Sequence, residues 1–100
     1  MSVYLLLTTL TDTGRKALQE DPDILKEINK EVEFTGVKVL AQYALLGQYD
    51  FVNLVEASSN EVMAKLAIRL SAKGTTQTLT LAAITLDDLI TALKEKGSPW

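Results

Sequence analysis

The chain reads LGQYDF over residues 46–51, and this stretch decides how its middle folds. It joins two strongly apolar stretches, residues 37–45 and 51–57. Gly47 supplies conformational freedom and Asp50 supplies an acceptor for turn amides, so a tight turn is predicted here. The two apolar stretches are therefore expected to pair as an antiparallel hairpin.

Further strands and helices are predicted on both sides of this hairpin from apolar periodicity and from capping residues. Besides the hairpin strands, the predicted strands are residues 3–10 and 75–84. Thr11 or Thr13 can cap a short helical segment. Three longer helices are predicted to begin at Asp21-Pro22, at a Ser58–Glu61 capping box and at Thr85, and to end near Gly36, Gly74 and Gly97.

The predicted element order is βαββαβ followed by a C-terminal helix. Right-handed crossovers and short connections then favour an α+β, ferredoxin-like fold with an antiparallel four-stranded sheet in the order 4-1-3-2. The predicted central strands, residues 3–10 and 51–57, are the most apolar. Polar residues concentrate in the predicted edge strands, as edges tolerate. Residues 1–97 are interpreted as one domain and residues 98–100 as a tail.

Side chains alternate between the two faces of a strand, which divides the sheet residues into two sets. The more uniformly apolar set is predicted to lie under the helices. It comprises Leu5, Leu7, Val39, Ala41, Tyr43, Val52, Leu54, Leu79 and Leu81. The opposite, mixed set comprises Tyr4, Leu6, Thr8, Leu40, Gln42, Ala44, Phe51, Asn53, Val55, Thr76, Thr78 and Thr80.

The mixed face is still too apolar to lie comfortably in water. We expect a second copy of the chain to cover it, because a two-fold interface is self-complementary. The prediction is a homodimer or higher homo-oligomer in which two sheets face each other as a barrel. The alternative is a sheet with one solvated face, which threonine-rich antiparallel strands also fit.

Composition excludes several classes of function. The net charge of -3 argues against a nucleic-acid binder, which needs a basic surface. No apolar run is long enough to span a membrane, and the first residues lack the features of a secretory signal. We therefore expect a soluble, cytoplasmic protein with neither nucleic-acid nor membrane partners.

The chain contains neither cysteine nor histidine. Disulfides, thiol nucleophiles, imidazole bases and a haem held by an axial histidine are therefore excluded. The acidic clusters at residues 20–23 and 87–88 fit helix starts better than metal-binding loops. No phosphate-binding glycine loop is present. We expect no metal and no cofactor, and no catalytic residue can be named.

Four residues are candidates for a ligand-binding site: Tyr43, Tyr49, Asp50 and Asn53. Tyr49 and Asp50 either define the hairpin turn or line the rim of a pocket. A buried amide at Asn53 needs hydrogen-bond partners. It either bonds a Thr or Gln across the dimer interface, or acts with a tyrosine to orient a small aromatic or carbonyl ligand.

These motifs resemble the GYD family of small proteins. The resemblance rests on the opening strand, the Thr11-Asp12-x-Gly14 helix start, Tyr43, the LGQYD run at 46–50 and residues 55–57. It implies ferredoxin-like subunits that pair through their sheets as a dimeric α+β barrel. The wider group of such barrels includes cofactor-independent monooxygenases, haem enzymes, isomerases and ligand-sensing domains of regulators.

Three functions remain open from the sequence. The first is a non-catalytic oligomeric module that binds a small molecule or serves a structural role. The second is a small cofactor-independent enzyme of the isomerase or monooxygenase type. The third is a ligand-sensing regulatory subunit, which would need a partner chain because no DNA-binding module is attached.

Overall fold

The computed structural model describes residues 1–95 of the chain. The strands in this part are β1 (Ser2–Leu10), β2 (Lys38–Ala44), β3 (Phe51–Ala57) and β4 (Thr76–Ala83). The helices are α1 (Asp12–Glu20), α2 (Ile24–Phe34), α3 (Asn60–Ala72) and α4 (Leu86–Lys94). The expected end of the last helix at Gly97 and the expected tail, residues 98–100, lie outside the described residues.

The helices begin where polar side chains bond free backbone amides. Thr11 accepts a hydrogen bond from the Gly14 amide at 3.1 Å and so caps α1. Thr85 caps α4 in the same way. The cap of α3 is Ser59, one residue after the position predicted for the capping box. Such one-residue shifts are common at helix ends.

The start of α2 also differs from the prediction. Asp21 and Pro22 do not begin this helix, because the Asp21 carboxylate accepts the Asp23 amide at 3.2 Å and forms a turn. The helix begins after that turn, at Ile24. Aspartate competes for nearby amides in this manner, which favours turns over helix interiors.

The four strands form one antiparallel sheet in the order β2-β3-β1-β4. This is the order predicted from the crossovers, and the ferredoxin-like α+β fold class is confirmed. The register of β2 shifts between Val39 and Ala41, which leaves Leu40 as the extra residue of a β-bulge. Beyond the bulge, Gln42 pairs with Asn53.

The predicted assignment of the two sheet faces is wrong. The helices cover the mixed face, where Leu6 and Val55 are almost completely buried and Tyr4 and Thr8 are also buried. The apolar residues of α2 and α3 that pack there are Ile28, Val32, Met63, Leu66 and Leu70.

The more uniformly apolar face is left uncovered by residues 1–95, and we call it the open face. It consists of two rows of neighbours across the strands, Ala41–Leu54–Leu5–Leu81 and Tyr43–Val52–Leu7–Leu79. None of these residues is buried, and Leu79 and Leu81 are 42% and 45% exposed.

Hydrogen bonding explains why polar residues lie under the helices. The Tyr4 hydroxyl donates to the Asn60 side chain at the start of α3, and Gln42 bonds Asn29 of α2. Polar groups are tolerated beneath helices when they find such partners. The prediction assumed that the chain itself buries its most apolar face, and that assumption fails for a sheet with two apolar faces.

The predicted burial of one side of α4 is also wrong. Leu86, Leu89, Ile90 and Leu93 follow helical spacing as predicted, but no residue of α4 is buried. We call these four residues the α4 stripe. A helix gains little stability from propensity alone, so such a stripe normally packs against something. Within residues 1–95, no helix is long and apolar enough to cross a membrane.

Gly14 fixes how closely α1 approaches β4. The Thr11 amide donates to the carbonyl of Thr75, the residue before β4, at 3.0 Å, which draws the start of the helix onto the start of this strand. A Cβ atom at Gly14 would lie 2.0 Å from the same carbonyl oxygen. Only glycine fits here, because the nearest atoms of Thr75 belong to the backbone and cannot rotate away.

We predict that Gly14→Ala lowers the free energy of unfolding by about 3 kcal/mol, since the clash forces backbone movement. The matched control is Gly36→Ala, where a Cβ meets nothing within 4 Å and only a φ of 88° opposes it. That control should lose about 1 kcal/mol. Urea unfolding of both variants measures the difference, and equal losses would contradict the packing role of Gly14.

Candidate functional site

A cavity of about 240 Å³ lies between the helix-side face of the sheet and α2. Its walls come from β1, β2, β3, α2 and the ends of α3 and β4, and most of the side chains are apolar. The principal apolar residues are Leu6, Leu25, Ile28, Val39, Phe51 and Val55. A mostly apolar cavity with a few polar groups is typical of small-molecule sites.

Three side-chain amides form a hydrogen-bonded network in the cavity lining. The Asn29 and Gln42 amides bond each other reciprocally, at 2.7 Å and 2.8 Å. The same Gln42 nitrogen also donates to the Asn53 oxygen at 2.7 Å. Gln42 is exposed, whereas Asn29 and Asn53 are half-buried, so the network runs inward from the solvent.

Asn53 thus bonds a glutamine, as one of the two sequence interpretations suggested, but the partner belongs to its own chain. Its amide nitrogen donates to no residue that the structure describes between positions 1 and 95. The network therefore offers unused N–H donors to whatever enters the cavity.

Tyr43 belongs to two surfaces. It is among the residues that line the cavity, yet its register partner is Val52 and its side chain belongs to the open face, where the residue is 66% exposed. Of the four candidate site residues, Tyr43 and Asn53 therefore border the cavity.

Asp50 and Tyr49 do not line the cavity. The Asp50 carboxylate accepts the Leu10 amide at 2.7 Å, and its own amide donates to the Thr8 carbonyl at 2.8 Å. These bonds tie the hairpin to the end of β1. Asp50 therefore holds the turn in place, and Tyr49 lies half-buried beside it.

Sequence reasoning did not select Asn29 as a site residue. It lies among the charged residues of α2, and nothing in its spacing distinguishes it from an ordinary solvent-facing residue. A signal was available in Gln42, because a glutamine and an asparagine that pair on one face of neighbouring strands suggest an amide network. The bulge at Leu40 moves Gln42 to a position opposite Asn53, and this register could not be derived from the sequence.

Comparison with known proteins now decides the family. The family model described as the GYD domain matches residues 4–93. This chain belongs to the GYD domain family. The match covers all of the sheet except the first two residues of β1, both crossovers and nearly all of α4, so the family resemblance read from the sequence is confirmed.

One relative of this GYD chain comes from Thermus thermophilus and is called glutamine synthetase and cystathionine beta-lyase binding protein. The two are 46% identical over 95 residues, which span 94% of this chain and 100% of the relative. The fold is also similar to the crystal structure of FFRP-DM1, with a TM-score of 0.56 at 17% identity. That likeness covers 84% of this chain and 100% of the other, and it supports the fold alone.

The charged residues of the GYD chain are mostly solvated, apart from one cluster. Glu31 of α2 bonds Lys73 after α3, and it accepts from Arg69 Nε at 2.8 Å. These hydrogen bonds, first from Lys73 and then from Arg69, hold the pKa of the Glu31 carboxyl below its ordinary value. The cluster joins α2 to α3 at the edge of the cavity, which Lys73 also lines.

Residues 1–95 contain no group of three or more carboxylates that could hold a metal ion. Within the same described part, no Asp or Glu is found in the lining of the cavity. The chemistry that the lining offers is therefore hydrogen bonding by amides and hydroxyls, together with apolar contact.

We predict that Asp50→Ala lowers the free energy of unfolding by about 1–3 kcal/mol, because the Leu10 amide loses its partner. Asp50→Asn keeps an acceptor oxygen and should lose less. The control is Asp87→Ala on exposed α4, which should stay within about 0.5 kcal/mol of the parent. Chemical denaturation measures the stability of the three variants. An Asp50→Ala protein as stable as the Asp87→Ala control would show that Asp50 does not hold the turn in place.

Proposed function

We propose that this GYD protein is a homo-oligomeric binding module without catalytic activity, whose partner is a metabolic enzyme. The enzyme class comes from the Thermus relative, so glutamine synthetase and cystathionine beta-lyase are the partners to test. Identity of 46% over the full length of that relative supports the transfer. The proposal includes the cytoplasmic location expected from the sequence.

The observation that carries the homo-oligomeric part of this proposal is the open face. Leucine and valine side chains there are contiguous over two rows and three strands or more, and monomeric proteins seldom leave such a patch in water. The chain exposes 7209 Å² in total. A compact monomer of this size would expose about 5,600 Å².

A second copy of the chain is the occupant we assign to the open face. This surface exceeds that of a compact monomer by roughly 1,600 Å², and the open face and the α4 stripe both contribute to the excess. Two copies related by a two-fold axis present the same rows to each other, so apolar residues meet apolar residues. The result is the face-to-face pairing of sheets expected from the sequence, made through the opposite face.

We predict that the protein is a dimer or larger oligomer at micromolar concentration and that Leu81→Arg makes it monomeric. A buried arginine without a partner opposes association. The matched control is Ile68→Arg, which changes a residue that is 68% exposed on α3. Analytical ultracentrifugation measures the mass of each. A parent protein that stays monomeric at all concentrations, or a Leu81→Arg protein that still associates, would disprove the pairing.

The α4 stripe is the surface we assign to the enzyme. Its apolar residues recur at helical spacing and are 38–75% exposed. Amphipathic helices of this kind bind by laying their apolar side in a groove of the partner. The first turn of the helix also carries Asp87 and Asp88 and its last turn carries Lys94, so charges at both ends can orient it.

We predict that Ile90→Lys weakens capture of purified glutamine synthetase at least tenfold, because a lysine cannot enter an apolar groove without losing its hydration. Thr91→Lys, one residue away and off the stripe, is the control and should bind as the parent does. Surface-immobilised protein and soluble enzyme give the affinities by biolayer interferometry, repeated with cystathionine beta-lyase.

Two results would count against this assignment. If the parent binds neither enzyme, the proposed partner class is wrong. If Ile90→Lys dissociates the homo-oligomer in the ultracentrifuge, the α4 stripe belongs to the contact between subunits and the enzyme docks elsewhere.

The alternative of a small isomerase or monooxygenase has less support. A proton-transfer enzyme needs a base within reach of its substrate, and the only titratable side chains in the described cavity lining are Tyr43 and Lys73. Lys73 is paired with Glu31, and Tyr43 belongs largely to the open face. No observation therefore favours catalysis over binding.

A further inference from the structure

The cavity under α2 is large enough for a small organic molecule. Its volume of about 240 Å³ exceeds the ~150 Å³ of an engineered protein cavity that binds benzene. An aromatic ring with a substituent of two or three heavy atoms therefore fits. The apolar walls supplied by Ile28, Val39 and Val55 favour a body without charges.

The amide network specifies the polar part of such a molecule. Each amide oxygen of Asn29, Gln42 and Asn53 already accepts a hydrogen bond, and both N–H groups of Gln42 are used. The unused groups are N–H donors, chiefly those of Asn53. The threonine hydroxyls in the lining can donate or accept and so do not change this preference.

The charge of the cavity lining further restricts the class of ligand. The one cationic side chain among the described lining residues is Lys73, and its ammonium group is bound by Glu31. An anionic ligand would lose its hydration without gaining a free counter-ion, which is unfavourable. A neutral acceptor makes the same hydrogen bonds at a smaller loss of hydration.

We propose that this cavity binds a small neutral carbonyl compound with an apolar body, and that the Asn53 amide donates to the carbonyl oxygen. Gln42 and Asn29 act as positioning residues, because they hold the Asn53 oxygen and so turn its nitrogen toward the ligand. This binding is additional to the enzyme-binding role, since none of the residues of the α4 stripe lines the cavity.

Three probes of similar shape test the proposal. Acetophenone has an aromatic body and a neutral carbonyl, ethylbenzene lacks the acceptor, and benzoate carries a charge. We expect acetophenone to bind the full-length protein about tenfold more tightly than either of the others, the effect of one satisfied hydrogen bond. Titrations followed by the amide signals of α2 and β2 in nuclear magnetic resonance spectra give the dissociation constants.

Two variants locate the site. Asn53→Leu has nearly the same shape, and it should reduce acetophenone affinity about tenfold while leaving ethylbenzene within about twofold. Ile28→Trp fills the cavity and should abolish binding of both probes. Gln77→Leu, a change of similar size at an exposed position of β4 outside the cavity, should bind all probes as the parent does. Ile28→Trp does not alter the amides, so it tests the site even if Asn53→Leu fails to fold.

Each contrary result overturns a stated part of the proposal. Equal affinity for acetophenone and ethylbenzene would show that the Asn53 amide does not contact the ligand. Tighter binding of benzoate would show that the cavity prefers an anion to a neutral compound. Unchanged spectra with all three probes, or undiminished binding by Ile28→Trp, would show that the cavity is not a binding site for this class. None of these results bears on capture of glutamine synthetase, so the two proposals fail separately.

Discussion

The whole structure depends on the alternation of side chains along β1. Leu5 and Leu7 point to one face of the sheet, and Tyr4, Leu6 and Thr8 point to the other. Both sets are apolar enough to require cover. Within residues 1–95, the helices that contribute apolar residues to the core are α2 and α3, and both lie on the same side of the sheet. The described part of the chain therefore leaves one apolar face of the sheet uncovered.

The hairpin between β2 and β3 sets the position of everything on the helix side. Asp50 joins its turn to β1, and the bulge at Leu40 then moves Gln42 opposite Asn53. Without the bulge, the side chain of Gln42 would lie on the open face and the amide network could not form. A local irregularity of one residue thus creates both the polar part of the cavity and the apolar continuity of the open face.

The elements and their order could be predicted because they depend on local signals. Apolar periodicity, glycines and short connections specify the strands, and handedness then restricts the topology. The end of β3 was predicted to the residue, and the cap of α4 at Thr85 was found as expected. These features depend on neighbours in sequence.

The orientation of the two sheet faces and the cavity could not be predicted, because they do not depend on neighbours in sequence. Hydrophobicity shows that a surface must be covered, but it does not show whether the cover comes from the same chain or from another. Choosing the most apolar set of residues for the interior therefore exchanged the two faces. The same choice predicted a buried α4 stripe, whereas its four residues are exposed in the structure. The bulge at Leu40 is a property of strand pairing, and no glycine or proline within β2 indicates it in the sequence.

The two proposed binding surfaces meet in one strand, which limits how they can influence each other. In β3, Asn53 borders the cavity while Val52 and Leu54 on either side belong to the open face. Coupling between the surfaces would require this strand to have two stable arrangements, since packed elements transmit discrete changes and resist gradual ones. β3 is hydrogen-bonded along both edges and is the partner of both β1 and β2, so a single arrangement is favoured. A ligand in the cavity is therefore expected to leave the pairing of subunits unchanged. Any regulation through the cavity has to act through the walls that are not part of the sheet, α2 and the end of α3, which Glu31 joins.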